Sequence, residues 1–333
     1  MTTLSGWRAL TLENDLLRVT VLPEKGADVV EFLHIPTGVD VLFKAPWGRG
    51  RAAPFAPDSL TAWLNAYSGG WQVMLPNAGA ACVEHGVEWG FHGEASLAPW
   101  TVDAADAASA RLSVRLLTAP LAVERECSVA GRVFRLERVM RLENGRAKLV
   151  VVGTVTNEGE ARIPFVWGQH LVLGPPFLET GCRIELPAWK VVTADEVWEE
   201  TARLEPGQRS EWPHGMLRAG GTVDLRNVPS PEAGSHDDLF VGGFSDGRAS
   251  VANPRLGLTF RLRWDEQVFP WVVLWQPYGG AIDPSLAGSY ALGLEPWTSR
   301  HNLARAIDNG EATWLEPGDS LSTAVVASIE ADA

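Results

Sequence analysis

Apolar and polar positions alternate with a period of two along much of this chain. The segments Leu17 to Leu22 (LRVTVL), Arg111 to Leu117 (RLSVRLL), Leu121 to Val129, Val133 to Leu142 and Lys148 to Thr156 (KLVVVGTVT) are short and rich in β-branched residues, which predicts strands. Turn-like breaks follow them at Ala130-Gly131, Glu143-Asn144-Gly145 and Asn157-Glu158-Gly159. Successive hairpins with no helix between them build antiparallel sheet, because parallel neighbours need long crossovers. The second half continues in this style, with strands predicted at Asp238 to Phe244, Leu256 to Trp264, Trp271 to Trp275, Ser289 to Leu294 and Ser320 to Ile329. The last is entered through LEPGD at Leu315 to Asp319; the echo LEPGQ at Leu204 to Gln208 is too short to mark a repeat.

One stretch has the helical period instead. In DSLTAWLNAYSGG, Leu60, Trp63, Leu64 and Tyr67 fall at i, i+3, i+4 and i+7, with Asp58 or Ser59 as N-cap and Gly69-Gly70 as the stop. No Pro/Ser-rich linker and no charge run divides the 333 residues. Length alone would suggest two domains, but all-β folds reach this size as one. The expected fold is therefore all-β, a single sandwich of large antiparallel sheets over residues 1–333 with very few short helices.

Alternation also sorts ionisable groups onto faces. If residues 163–173 form a strand, Phe165, Trp167, Gln169 and Leu171 share one face, and Val166, Gly168, His170 and Val172 the other. His170 then sits beside a glycine, which in a strand marks close approach by another group, here a ligand. In SYALGLEPW, Ala291, Gly293 and Glu295 share a face opposite Tyr290, Leu292 and Leu294. In EWGFHGEA, Gly90, His92 and Glu94 alternate with Trp89, Phe91 and Gly93. Three strands thus each offer an ionisable group on a face kept otherwise small, the pattern of a pocket floor. For each one alone, a hydrogen-bonded core histidine or an exposed carboxylate is the commoner explanation.

Composition narrows the partners. The formal net charge of −13 sets a field that repels nucleic acid and anionic lipid, and no basic patch interrupts it. The start MTTLSGWRAL has no signal-peptide pattern, and no stretch approaches the roughly 20 apolar residues that span a bilayer, so the chain reads as cytoplasmic. Cys82, Cys127 and Cys182 are an odd number without metal-ligand spacing, which predicts buried free thiols. Fifteen tryptophans against three tyrosines are core fillers first, but indoles are also flat platforms for the apolar faces of sugars. Trp71, Trp89, Trp167 and Trp297, near the histidine and glutamate motifs, are the candidates.

These motifs resemble the galactose mutarotase-like superfamily of aldose 1-epimerases. Ser68 to Trp100, with its Gly-Gly, Pro-Asn and His-Gly pairs, is similar to that family's first histidine passage, and FVWGQHLVLGPPFL to its second. YALGLEPWTSR looks like the strand ending in a catalytic glutamate, and SHDDLFV like the segment with a substrate-binding aspartate. The order holds to the closing LEPGDSLSTAVVASI. The resemblance implies a β-supersandwich, with His170 as general acid, Glu295 as general base and His92 as a substrate contact. Asp237 or Asp238 would bind sugar hydroxyls, and Asn77, His85, Trp167 and Trp297 would complete the site. In this sequence the His-Gly pair runs on as Glu94-Ala95-Ser96 where the family often has an arginine, and Arg300 is the candidate to replace it.

The expected reaction interconverts α and β anomers of an aldose, in carbohydrate metabolism. It removes the proton from the C1 hydroxyl while protonating the ring oxygen, which a carboxylate and a histidine on opposite sides of the hemiacetal can do without a metal or other cofactor. The expected partner is a monosaccharide or sugar-derived small molecule, and a homodimer is compatible with the sequence. Three other readings stand beside it. A cupin-like metal site from His85, His92, Glu94 and His170 is disfavoured, because His85 and His92, seven apart, fall on opposite faces of a strand. A binding or regulatory protein that kept the fold without catalysis fits the missing arginine. The third is a glycosidase or lyase on a related sandwich; glycoside hydrolysis would need a carboxylate pair at a defined separation, which the sequence does not assign, and a phosphorylated sugar would want clustered arginines that it does not display.

Overall fold

Strand period organises the chain in the computed structural model, which describes residues 2–46, 58–84, 86–118 and 132–331. Two large sheets form, every strand pairing in them antiparallel. One has 13 strands. Its path runs through Thr2–Leu4, Trp7–Glu13, Leu17–Leu22, Asp28–His34, Trp71–Met74, Gly168–Leu173, Glu295–Trp297, Trp271–Tyr278, Ser235–Gly242, Lys190–Thr193 and Arg209–Glu211. The other has 8 strands, in the order Arg183–Glu185, Arg248–Asn253, Leu258–Arg263, Ser320–Ala331, Lys148–Asn157, Arg132–Leu142, Ser109–Thr118 and Thr101–Ala105.

The alternation that predicts the strands also builds the core. In Lys148–Asn157, Leu149, Val151, Gly153, Val155 and Asn157 are buried while the residues between them are half-exposed. Phe32 of the larger sheet meets Phe260 of the smaller edge-to-face, with ring centroids 5.9 Å apart. Phe134 likewise meets Phe165 at 6.0 Å. Aromatic pairs in this geometry add to the burial of their area.

Leu17–Leu22 matches its predicted bounds, and Arg132–Leu142, Lys148–Asn157 and Ser320–Ala331 extend theirs by one or two residues. The segment 121–129 lies outside the described residues. The predicted strands at 163–173 and 289–294 are each split: Ile163–Phe165 leaves the large sheet to pair with Thr313–Leu315, and Ser289 to Ala291 precede a short Leu292–Gly293 strand. The helix α1, Ser59–Ala66, is capped by Asp58, whose carboxylate accepts the Thr61 N–H at 2.7 Å. A second helix, α2 at Leu303–Asp308, has too few turns for a periodic signal; Asn302 caps it through the Arg305 N–H. No helix among the described residues is long and apolar enough to cross a membrane.

Trp167 is core rather than platform. It lies edge-to-face on Phe269 at 5.2 Å, and its six-membered ring occupies the space over Gly153, where a Cβ would lie 2.5 Å from the indole. Gly153→Val is expected to destabilise the fold by about 1–3 kcal/mol through overpacking. Urea unfolding that leaves the midpoint within error of the wild type would contradict this contact.

Candidate active site

Adjacent strands at the centre of the larger sheet carry the ionisable groups. Gly168 pairs with Trp297, Val273 with Glu295 and Asp238 with Trp275. These registers line up His170, Glu295, Val273, Trp275, Asp238 and Phe240 on the floor of one cavity of about 430 Å³, within the usual size range of small-molecule sites. Trp63 and Leu64 of α1 and Tyr67, the residue that caps its C-terminus, cover one side, a turn brings Phe91 and His92, and residues from 194–198 and 300–305 line the rim.

His170 Nε2 and Glu295 Oε1 face each other at 3.7 Å, both residues buried. Glu295 Oε2 accepts the Trp297 indole N–H at 3.2 Å. Glu295 Oε1 and His170 Nδ1 are buried without a hydrogen-bond partner among the described residues. Trp63, Tyr67 and His92 ring His170 at centroid distances of 5.2, 5.4 and 5.4 Å. Burial in this aromatic setting lowers the His170 pKa to about 3. Burial raises Glu295 well above the ordinary carboxylate value, helped by the nearby Asp238 and opposed by the Trp297 N–H. Between these two groups burial therefore favours the proton on Glu295.

The chemistry of anomer exchange suggests groups on opposite sides of a hemiacetal, whereas the structure sets His170 and Glu295 side by side on one sheet face. The glycines also differ from their predicted use. A Cβ at Gly168 would lie 2.5 Å from Met74 Cε and 3.2 Å from the Trp297 indole, so this glycine admits protein side chains rather than a ligand. At Gly293 a Cβ would lie 2.4 Å from Glu295 Oε1 and 2.8 Å from Trp275 Cβ, so this position seats the glutamate itself.

His92 reaches the cavity by a different route from the predicted strand. The Val87–Trp89 strand ends before it, and His92 sits in a turn at φ +56°. Its N–H donates to Gly79 O and its Nδ1 accepts the Gly79 N–H, both at 3.0 Å. That leaves the ring proton on Nε2. Burial lowers its pKa well below the usual histidine value, with the neighbouring His170 adding to the effect. Gly93 follows at φ +70°, where a Cβ would overlap Leu75 O at 2.4 Å, a physical reason for the His-Gly pair. Glu94 turns away, accepting the Gly90 N–H at 3.0 Å, so the predicted face of Gly90, His92 and Glu94 does not form.

Of the two aspartates, Asp238 lines the cavity and Asp237 does not. Asp237 is fully buried on the other face, where it accepts from Arg203 Nε at 2.7 Å and from the backbone N–H groups of Arg203 and Leu204 at 2.6 and 3.0 Å. Asn77 is likewise structural: its amide donates to Ala80 O and Gly90 O and its oxygen accepts the Leu303 N–H. Trp71 and Trp89 are core, the former donating to Gln169. Trp297 lines the cavity, as does Arg300, which is largely buried and 3.9 Å from Asp195. Trp167 lies off the cavity, in the core, and His85 lies outside the described residues. No group of three His, Cys, Asp or Glu side chains among the described residues is placed to hold a metal ion.

The sequence reading misses Trp275, Trp198, His301 and the cavity role of Trp63 and Tyr67. Trp275 carries a signal, standing two residues from Val273 in a predicted strand. The α1 aromatics read as an ordinary apolar stripe, because a helix that covers a cavity and one that covers a core share the same period.

A family model described as a domain of unknown function, DUF4432, matches residues 4–329. No curated protein matches the sequence. Among solved structures the chain is similar to Slr1438 from Synechocystis sp. PCC 6803, at 22% identity and TM-score 0.69 with both chains covered in full. It is similar to a galactose mutarotase-like protein from Clostridium acetobutylicum, at 17% identity and TM-score 0.63 over 98% of this chain and 96% of that one. A Klebsiella pneumoniae protein provisionally named an aldose 1-epimerase is similar at 16% identity and TM-score 0.73, over 98% of this chain and 80% of that one. The fold is thus the galactose mutarotase-like β-sandwich.

The raised Glu295 pKa predicts a pH signature in stability. A carboxyl that holds its proton in the folded state stabilises it at pH values below the unfolded-state pKa, and that contribution is lost as pH rises toward the folded value. Glu295→Gln is expected to gain more thermal stability over the wild type at pH 8 than at pH 4. Equal shifts in Tm at the two pH values would contradict the buried, protonated carboxyl.

Proposed function

The chain belongs to the DUF4432 family, and from that premise we propose that it is an aldose 1-epimerase acting as a single domain over residues 1–333. The observation that carries the proposal is the His170 and Glu295 pair, with facing atoms 3.7 Å apart on a cavity floor. No other two proton-transfer groups lining the cavity form such a contact among the described residues.

In the proposed reaction Glu295 takes the proton of the C1 hydroxyl while His170 protonates the ring oxygen. The C1–O5 bond breaks as the C1–O1 bond becomes a carbonyl. After rotation about C1–C2, His170 takes the proton back from the C5 hydroxyl, O5 attacks the other face of C1, and Glu295 returns its proton to O1. Each group is acid in one half and base in the other, and the pair ends with the single proton it began with. Both target oxygens are bonded to C1, which suits two catalytic groups standing side by side. Since burial favours the proton on Glu295, the sugar's hydroxyls must support its transfer to His170 on binding. His92 Nε2–H and Asp238 would hold sugar hydroxyls, and the Trp63, Trp275 and Trp297 indoles would pack on the apolar ring faces.

A sugar-binding protein without catalysis is the second reading. It is favoured by Glu94 standing where the family often has an arginine, with its carboxyl turned back to Gly90. Arg300, which lines the same cavity, is the guanidinium that would replace that arginine.

NMR anomer exchange over a panel of aldoses, ketoses and sugar phosphates tests the two readings. His170→Ala and Glu295→Gln are each expected to slow exchange of the accepted aldose at least about 100-fold while the fold persists. Near-normal rates in both variants would refute the assignment, and binding without acceleration by the wild type would favour the second reading. Because burial holds His170 near about 3, kcat/KM is expected not to fall as pH is lowered from about 7 to 5. A decline through the ordinary histidine value of about 6.5 would contradict the buried pair.

A further inference from the structure

Beside Asp238, on the cavity face of the same strand, His236 is almost fully buried. Its Nε2 accepts the Trp275 indole N–H at 2.6 Å, so the neutral ring carries its proton on Nδ1. That nitrogen is buried without a hydrogen-bond partner among the described residues, and it faces Glu199 Oε1 at 3.7 Å. Glu199 Oε1 also accepts the backbone N–H groups of Ile282 and Asp283, at 3.1 and 3.0 Å. Residues 194–201 arch over this cluster from two backbone anchors, Ala194 N–H to Asp238 O at 3.2 Å and His236 N–H to Thr201 O at 3.5 Å. Between the anchors, Val197 and Trp198 line the cavity yet are 38% and 50% exposed.

A buried donor left without an acceptor is costly, while a charge-assisted hydrogen bond forms at about 2.7–2.9 Å. About an ångström of approach by Glu199 would satisfy His236 Nδ1. We infer that Glu199, His236 and Trp275 form a positioning relay that latches the 194–201 arch to the cavity wall, bringing Val197 and Trp198 onto a bound sugar while fixing the Trp275 indole beside Glu295. Packing on its other sides leaves the Trp275 indole N–H to be held by His236. Trp275 stands where a Cβ on Gly293 would touch it, and Tyr67 and His170 lie at 6.2 Å on its other sides. Glu199 and His236 do not line the cavity; they act through Trp275 and the arch. The inference rests on reading the cavity as the sugar site.

The test joins NMR of the indole N–H groups to kinetics, both on the full chain. The Trp275 signal, assigned by its disappearance in Trp275→Phe, is expected to lie downfield in the wild type. It should move upfield in His236→Phe and return toward the wild-type position in His236→Gln, whose amide oxygen can take the indole proton. Glu199→Gln keeps a backbone acceptor and loses the charge. It is expected to raise KM for the accepted aldose about tenfold with kcat within about twofold, a split that a loss of fold stability alone would not produce. An unmoved Trp275 signal in His236→Phe, or an unchanged KM in Glu199→Gln, would overturn the relay. A wild type that exchanges the anomers of no aldose would instead overturn the proposed epimerase activity, and the indole signal would still decide whether His236 holds Trp275.

Discussion

The register that sets Gly168 opposite Trp297 and Val273 opposite Glu295 is the constraint on which the site depends. His170 and Glu295 come from distant parts of the chain, and neither strand is longer than six residues. Side chains alternate with period two, so a slip of one residue in either strand would turn His170 or Glu295 into the hydrophobic core. The opposite face prevents that slip. Gln169 holds Trp71 through its indole at 2.9 Å, Leu171, Leu292 and Leu294 sit in the main core, and Thr298 Oγ1 accepts the Trp167 N–H at 2.9 Å. Packing between the sheets thus fixes chemistry on the outer face of one of them.

That outer face must exclude water without a second sheet to cover it. A small aromatic cluster does so instead, with Trp63 of α1 and Tyr67 at its C-terminal cap stacked at 4.7 Å and packed with Phe43, Val172, Leu286 and Ala291. The same burial that closes the floor sets its proton chemistry. His170 and His92 are driven toward their neutral forms, and Glu295 and Asp238 toward theirs. An acidic protein of net charge −13 thereby sets Glu295 and Asp238 together on the cavity floor with their charged forms disfavoured. The same logic extends outward to His236 and Glu199, where burial leaves a donor facing an acceptor just beyond bonding distance.

Much of this was legible in the chain itself. Period-two alternation identified the long strands of the smaller sheet, because each has one face in the core and one in solvent, the condition under which the pattern is clean. It also assigned His170, and Ala291, Gly293 and Glu295, to faces opposite their apolar neighbours, and the ordered motifs pointed to the fold. Alternation failed where strands were short or buried on both faces. His92 follows a strand of three residues and reaches the cavity through a left-handed turn, which no period describes. Trp167 and Trp297 carry the same side chain near the same motifs, yet one fills the space over Gly153 and the other lies along the cavity.

By itself, then, the sequence determined the antiparallel architecture and which residues point away from the core, since both follow from local alternation and turn chemistry. Tertiary structure alone decided which of those outward residues converge. Asp238 was separated from Asp237 by the pairing of one strand with Trp271–Tyr278 and by the Arg203 guanidinium on its other face. Gly168 was given to Met74 and Trp297 rather than to a ligand, and Trp275 to His236. These outcomes depend on contacts between segments far apart in sequence, and the short-range pattern of a chain carries no measure of such distances.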